Sequence, residues 1–199
     1  MHPDTKLKTK ILVIDDDTAI LSSISTYLED SGYDVKNAEN GKAGLEIFDT
    51  YAPDLVLTDL HMPVLGGLEV LNIITKKNRD SPVIVISGAG ELNDAIQALR
   101  LGAWDFITKP VSDLQVLEHA INKAIERKNL VEENKIYAQH IASNLKILEE
   151  DHIAGRTVQM SLLPADHMLF HDFEFKFKII PSLELSGDFV EYFSINESL

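Results

Sequence analysis

The chain contains no cysteine. Disulfides, thiolate metal sites and a cysteine nucleophile are therefore excluded, and the absence fits a reducing compartment. Basic charge is scarce as well. Lys and Arg number 18 against 32 Asp and Glu, a net charge of −14. Neutralising phosphates takes clustered Lys and Arg, so neither nucleic acid nor a membrane is expected as a partner. The plainest consequence of the acidity is solubility. No apolar run approaches the ~20 residues that span a bilayer. Met1 to Lys10 is polar and basic without an apolar core, unlike a secretory signal. Together these absences predict a soluble, cytoplasmic protein. From about Asp113 to Leu163 there is no proline and one glycine, Gly155.

What is present begins with length. At 199 residues, 45% hydrophobic and 25% charged, the chain suits one full domain plus something smaller. Its first part alternates short apolar runs with helical periodicity. Strands are predicted at Lys10–Ile14, Tyr33–Lys36, Asp54–Thr58, Pro82–Ile86 and Trp104–Thr108. Helices are predicted between them, with Ile20, Ile24 and Leu28 on one stripe and Leu68, Leu71 and Ile74 on another. Asp17-Thr18 reads as a helix cap, and Gly32 and Gly102 as stops. This alternation predicts βαβ units, a parallel sheet and, with right-handed crossovers, a doubly wound α/β fold.

Four of the strand-like runs end on polar residues: Asp15-Asp16, Asp59, Ser87 and Lys109. Each has a bland explanation. Asp15-Asp16-Asp17 suits a capping run. Asp59, ahead of Pro63 and Gly66-Gly67, suits a turn. Ser87-Gly88 suits a helix start, and Lys109-Pro110 a surface loop. All four at consecutive strand ends is a stronger pattern. Ligands bind open parallel sheets in the crevice at the carboxyl ends of the strands. Three carboxylates, a hydroxyl and an ammonium would meet there. Crowded carboxylates hold protons unless a cation compensates, and Mg2+ takes oxygen ligands and completes its shell with waters and phosphoryl oxygens. Phosphoryl transfer rests on positioning and charge stabilisation. The set therefore predicts a Mg2+ site with Asp59 as nucleophile, forming an aspartyl phosphate.

Residues 10–125 resemble the response-regulator receiver domain of two-component signalling. The resemblance rests on Ile11-Leu-Val-Ile-Asp-Asp-Asp17, Asp54-Leu-Val-Leu-Thr-Asp59-Leu-His-Met-Pro63 with Gly67, Ser87-Gly88 and Lys109-Pro110. It implies a flavodoxin-like five-stranded sheet of order 2-1-3-4-5. It also implies Asp59 as phosphoacceptor, charged by a histidine kinase or phosphotransfer protein. Asp16, Asp59 and the backbone carbonyl of His61 would hold Mg2+, with Asp15 helping through water. Ser87 and Phe106 would be the switch pair, Lys109 would contact the phosphate, and the Lys109-Pro110 bond is often cis in this family. Phe106 departs from the commoner tyrosine and lacks a hydroxyl. Gly66 stands where a polar residue is frequent.

Beyond the receiver, Leu117, Ile121, Ala124, Lys128 and Val131 follow steps of four and three. Asn134, Ala138, Ile141, Leu145 and Leu148 repeat the pattern after a slip. Such a stripe predicts a coiled coil or long linking helix, and a homodimer along residues 117–148; packing of the helix on its own domain accounts well for Leu117–Ile125 and poorly for the residues beyond. Phe173, Phe175, Phe177 and Ile179 alternate with charge, a half-buried strand, and Phe189–Ile195 is its expected return. The stretch Ala154–Pro164 resembles the opening of PPM-type serine/threonine phosphatases of the SpoIIE/RsbU kind. Ser186-Gly187-Asp188-Phe189 with Tyr192-Phe193 resembles their next block, with Asp188 matching a metal ligand. The expected organisation is thus a tail (1–9), a receiver (10–125), a helical linker (126–163) and the start of an output domain (164–199). One carboxylate cannot build a two-metal site, so these residues would not act alone as a phosphatase. The alternative is an adaptor of the RssB type, which Ala98–Gly102 and Lys109–Leu114 resemble, binding a sigma factor or its regulator without catalysis.

Overall fold

The computed structural model describes residues 8–88, 92–111, 114–162, 167–170 and 173–176. One unit ends at Asn134 and a second begins at Lys135. The first is built from β1 (Lys10–Ile14), α1 (Thr18–Asp30), β2 (Asp34–Ala38), α2 (Gly41–Tyr51), β3 (Leu55–Asp59), α3 (Gly67–Lys77), β4 (Val83–Ser87), α4 (Leu92–Leu101), β5 (Asp105–Thr108) and the start of α5 (Leu114–Leu162). The sheet runs β2-β1-β3-β4-β5, and every neighbouring pair is parallel. That is the predicted order.

Both faces of the sheet are covered, which explains why its central strands read as continuous apolar runs. Ile11, Val13, Leu55, Leu57, Ile84 and Ile86 face Leu21, Ile24 and Leu28 of α1 and Leu117, Ile121 and Ala124 of α5. Leu12, Ile14, Val56, Val83 and Val85 face Val70, Leu71 and Ile74 of α3 and Ala98 of α4. Each such buried aliphatic side chain contributes about 1.5–3 kcal/mol over exposure. Asp17 caps α1, its Oδ1 accepting from the amides of Ala19 at 2.8 Å and Ile20 at 3.3 Å. Gly32 (φ 94°) and Gly102 (φ 104°) follow α1 and α4 in the left-handed conformation that ends helices at little steric cost.

Three expectations shift. β3 and β4 each run one residue further than predicted, so Asp59 and Ser87 belong to the strands themselves. The helix after the receiver is continuous from Leu114 to Leu162, and it includes Ala154–Leu162 of the stretch that resembles a phosphatase opening. Its first turns are core: Leu117, Ala120, Ile121 and Ala124 are buried. They are therefore not available to the dimer expected along residues 117–148, although Ile136, Tyr137, Ile141, Leu145 and Leu148 are more than half exposed.

In the second unit, β6 (His167–Phe170) pairs antiparallel with β7 (Phe173–Lys176), Phe170 opposite Phe173. The alternating segment at Phe173 thus pairs with the residues before it, a pairing not expected from the sequence. That expected return strand, the 186–193 block and Asp188 lie outside the described residues.

Candidate functional site

The parallel register brings the ends of β1, β3, β4 and β5 into line. Thr58 lies beside Ile14, Asp59 beside Ile86 and Ser87 beside Thr108. The residues that leave these strands must therefore share the carboxyl edge of the sheet. Asp15, just past β1, is tied to its neighbour by Asp15 N donating to Ala38 O at 3.1 Å. The chain then turns sharply, with Asp17 N donating to Asp15 Oδ1 at 2.9 Å.

Asp15, Asp16 and Asp59 each offer a carboxylate oxygen within 4.8 Å of the others. Asp15 and Asp59 are buried, Asp16 exposed. Lys109 reaches in from the end of β5, its Nζ 2.8 Å from Asp15 Oδ2 and 3.2 Å from Asp59 Oδ1. Lys109 N also donates to Ser87 O at 2.6 Å, and the Lys109-Pro110 bond is cis, as the resemblance implies. The Ser87 side chain is buried beside this cluster at the end of β4. Phe106 is half-buried on β5, packed against the α3–α4 side of the core.

The electrostatics are unbalanced toward negative charge. Burial pushes the Asp59 carboxyl up, Lys109 pulls it down, Asp15 pushes it up again, and the net shift is upward. Burial alone would lower Lys109, but the hydrogen bond and charge of Asp15 and the charge of Asp59 raise it overall. Asp15 Oδ2 is buried and meets the shared Lys109 ammonium at 2.8 Å. Three carboxylates with one ammonium between two of them leave negative charge uncompensated, which suits a small hard cation.

Two features of the β3–α3 loop were not foreseen. His61 turns its ring toward α4, Nε2 lying 3.2 Å from Asp94 Oδ2. Nothing local in the sequence announces a pairing across 33 residues. Gly67 lies so close to the Asp59 carbonyl that a Cβ would overlap it. The adjacent Gly66-Gly67 was the visible signal for that approach. Val64 in the same loop takes φ 72° and is 83% exposed, a conformation that costs a β-branched residue of order 1–3 kcal/mol.

A family model described as the response regulator receiver domain matches residues 11–122. The alkaline phosphatase synthesis transcriptional regulatory protein PhoP of Bacillus subtilis (strain 168) is 32% identical over 171 residues, 82% of this chain and 70% of that protein. The probable transcriptional regulator ycf27 of Porphyridium aerugineum is 37% identical, over 72% of this chain and 59% of that protein. Transcriptional regulatory protein GlrR of Escherichia coli (strain K12) is 36% identical, over 59% of this chain and 26% of its own length. Among solved structures, a receiver domain protein from Clostridium thermocellum superposes with TM-score 0.59 at 42% identity, covering 62% of this chain and 98% of that one. NtrX from Brucella abortus gives TM-score 0.63 at 32% identity, over 66% and 30%. The chain thus spans about half or less of most of the longer relatives it matches. PhoP, ycf27 and GlrR are named transcriptional regulators, which leaves the expected exclusion of nucleic acid, and the PPM-type phosphatase output, without support. Among the described residues, no helix is long and apolar enough to cross a membrane. With the fold, the carboxylate cluster and the match over residues 11–122 in agreement, the chain belongs to the response-regulator receiver family of two-component signalling.

Proposed function

We propose that Asp59 is the phosphoacceptor, taking a phosphoryl group from a histidine kinase or phosphotransfer protein. The observation that carries this reading is the cluster of Asp15, Asp16 and Asp59 with Lys109 at the carboxyl edge of the sheet. An Asp59 carboxylate oxygen would attack phosphorus as the histidine N–P bond breaks, leaving an acyl phosphate on Asp59 and returning the electron pair to the imidazole. Asp15, Asp16, Asp59 and the His61 backbone carbonyl would hold Mg2+, which when bound supplies positive charge to the transferred oxygens. Lys109 already stands 3.2 Å from Asp59 Oδ1, where its ammonium pairs with a phosphoryl oxygen as charge develops. The buried Ser87 hydroxyl donates to another. As Ser87 is drawn in, the half-buried Phe106 ring follows and the surface of α4 and β5 changes. A phosphoryl group shifts this equilibrium only through its stronger interaction with the second state.

The test is labelling with acetyl phosphate and Mg2+, read on a phosphate-affinity gel. Asp59→Asn should take up no label; uptake equal to wild type would end the assignment.

The signal leaves along α5, which begins in the receiver core and continues beyond it. Its exposed apolar residues from Leu130 to Leu148 support self-association through that part of the helix. For the output, the residues at 154–164 and 186–193 favour a PPM-type phosphatase, with Asp188 as a metal ligand. The names of the relatives favour transcriptional control. An RssB-like adaptor binding a sigma factor or its regulator is the third reading. Phosphoserine hydrolysis by the whole protein, DNA retardation and sigma-factor capture separate the three.

A further inference from the structure

The opposite edge of the same sheet carries a second charged feature. A pocket of about 480 Å3 lies where α3 runs out and β5 begins, and its lining includes Lys76, Arg79, Arg100, Trp104 and Arg127. No Asp or Glu lines it, although acids outnumber bases 32 to 18 in the chain. None of the four cations is ion-paired with a carboxylate among the described residues. The Arg127 guanidinium lies 4.5 Å from the Trp104 ring centre, which holds this otherwise exposed side chain against the pocket wall. Part of the positive charge has a local explanation. Lys76 and Arg100 sit in the last turns of α3 and α4, where each helix end carries roughly half a negative charge. Two such ends offset about one of the four positive charges. Arg79 and Arg127 belong to neither last turn, so about three remain, concentrated in a concave site.

We propose that this pocket binds a small soluble polyanion bearing at least two linked phosphoryl groups. One phosphate would leave more than one cation unpaired; a diphosphate matches both the charge and the separate elements that supply it. Guanidinium groups suit such ligands because their donors form paired hydrogen bonds with phosphoryl oxygens. The pocket is independent of the acidic cluster, since its residues flank the amino ends of β4 and β5 while the carboxylates lie at the carboxyl ends.

Trp104 is the single tryptophan in the chain, so its fluorescence reports on this site alone. The experiment titrates the whole chain with inorganic pyrophosphate at low salt, with EDTA present to keep metal from the acidic cluster. Three proteins are compared: wild type, R79A/R127A and K109A. Calorimetry supplements the fluorescence, because removing Arg127 alters the Trp104 signal by itself. The expected result is a Kd below about 1 mM, weakened at least tenfold in R79A/R127A and unchanged in K109A. Acetyl phosphate labelling of Asp59 by R79A/R127A should match wild type, showing an intact fold. Absence of a pyrophosphate response, equal binding by R79A/R127A, or loss of binding in K109A would overturn the proposal. So would capture by phosphatidylglycerol vesicles without pyrophosphate binding, which would assign the cations to a lipid surface.

Discussion

Two adjacent glycines separate close packing from mere turn preference. A Cβ on Gly67 would overlap the Asp59 carbonyl oxygen and sit 2.8 Å from its carbon and 3.0 Å from Leu60 Cα. All three are backbone atoms where the chain leaves β3, so no side-chain rotation relieves the clash. Gly67 N also donates to Leu60 O at 2.9 Å, which ties the start of α3 to this turn. Overpacking costs about 1–3 kcal/mol, and relief here requires the backbone to shift. Alanine's better helix propensity returns up to about 1 kcal/mol. The net expectation for Gly67→Ala is a loss of about 2 kcal/mol, or roughly 8 °C in Tm at about 4 °C per kcal/mol. Gly66→Ala is the internal control. Its Cβ would meet only Leu60 O, at 3.3 Å, and its φ of −75° suits any residue. The entropy removed from the unfolded chain is worth about 0.4–1 kcal/mol, so stability should stay within about 0.5 kcal/mol of wild type. Circular dichroism melts measure both. Since the displaced atoms are those of Asp59 itself, Gly67→Ala should also slow acetyl phosphate labelling about tenfold or more. The reasoning fails if Gly67→Ala melts within about 1 °C of wild type, or if Gly66→Ala is the more damaging change.

Asp59→Asn should stabilise the fold at neutral pH. The folded-state carboxyl titrates above its unfolded value, so the folded state holds the proton more tightly and the ionised form is penalised once pH exceeds the folded pKa. The gain should vanish as pH falls below the unfolded value; urea midpoints at pH 3 and pH 7 check the sign. Lys109→Met should cost about 3 kcal/mol, because it leaves Asp15 and Asp59 buried without their cation, and millimolar Mg2+ should restore part of the loss in a thermal melt. Asp54→Ala removes the acceptor for Lys10 N at 3.0 Å and the partner of Lys128 at 2.7 Å. Burial raises the Asp54 carboxyl, but these bonds lower it overall, so its contribution is present above the unfolded pKa and fades as pH falls through the folded one. That contribution should be about 1 kcal/mol, since the carboxylate is 40% exposed. Ile141→Glu with Leu148→Glu should convert a dimer to monomer in sedimentation velocity without lowering the receiver's Tm; a wild-type monomer at all concentrations removes the self-association reading.

Most of the sheet was legible because β1, β3 and β4 are covered on both faces. A strand that needs apolar residues at every position announces itself whatever its register. β2 shows the converse. At this edge only Ala38 is fully buried, so the pattern is weak and the predicted Tyr33–Lys36 sits short of Asp34–Ala38. The catalytic candidates were legible for a related reason: polar residues directly after apolar runs fall at the sheet edge by geometry. The strand at Phe173 was found, but not its partner. Alternation says which face is apolar and nothing about which neighbour supplies the hydrogen bonds. The apolar steps at Leu117, Ile121 and Ala124 illustrate the same ambiguity in a helix. A stripe of period near 3.5 serves a domain core or a second copy equally well, and here the core takes these three. The His61–Asp94 pairing and the Gly67 contact depend on where loops return in space, which composition does not encode.

The site is held in deliberate imbalance by the way its cation is shared. Lys109 stands within 3.2 Å of Asp59 and 2.8 Å of Asp15, one ammonium between two buried carboxylates, one on β3 and one just past β1. Burial, joined by the charge of Asp15, outweighs this shared ammonium, so Asp59 remains raised despite so close a partner. If Asp59 is the phosphoacceptor as proposed, a full set of cations built into the protein would stabilise the resting state further, and it would also quench that carboxylate and leave nothing for an incoming phosphoryl group to change. With one lysine borne on the end of β5, the group that neutralises Asp59 is attached by backbone to Phe106 and, through Lys109 N, to the end of β4 at Ser87. Under the proposed function, a redistribution of charge at Asp59 would act on β4 and β5 together, at the edge of the sheet that α4 covers.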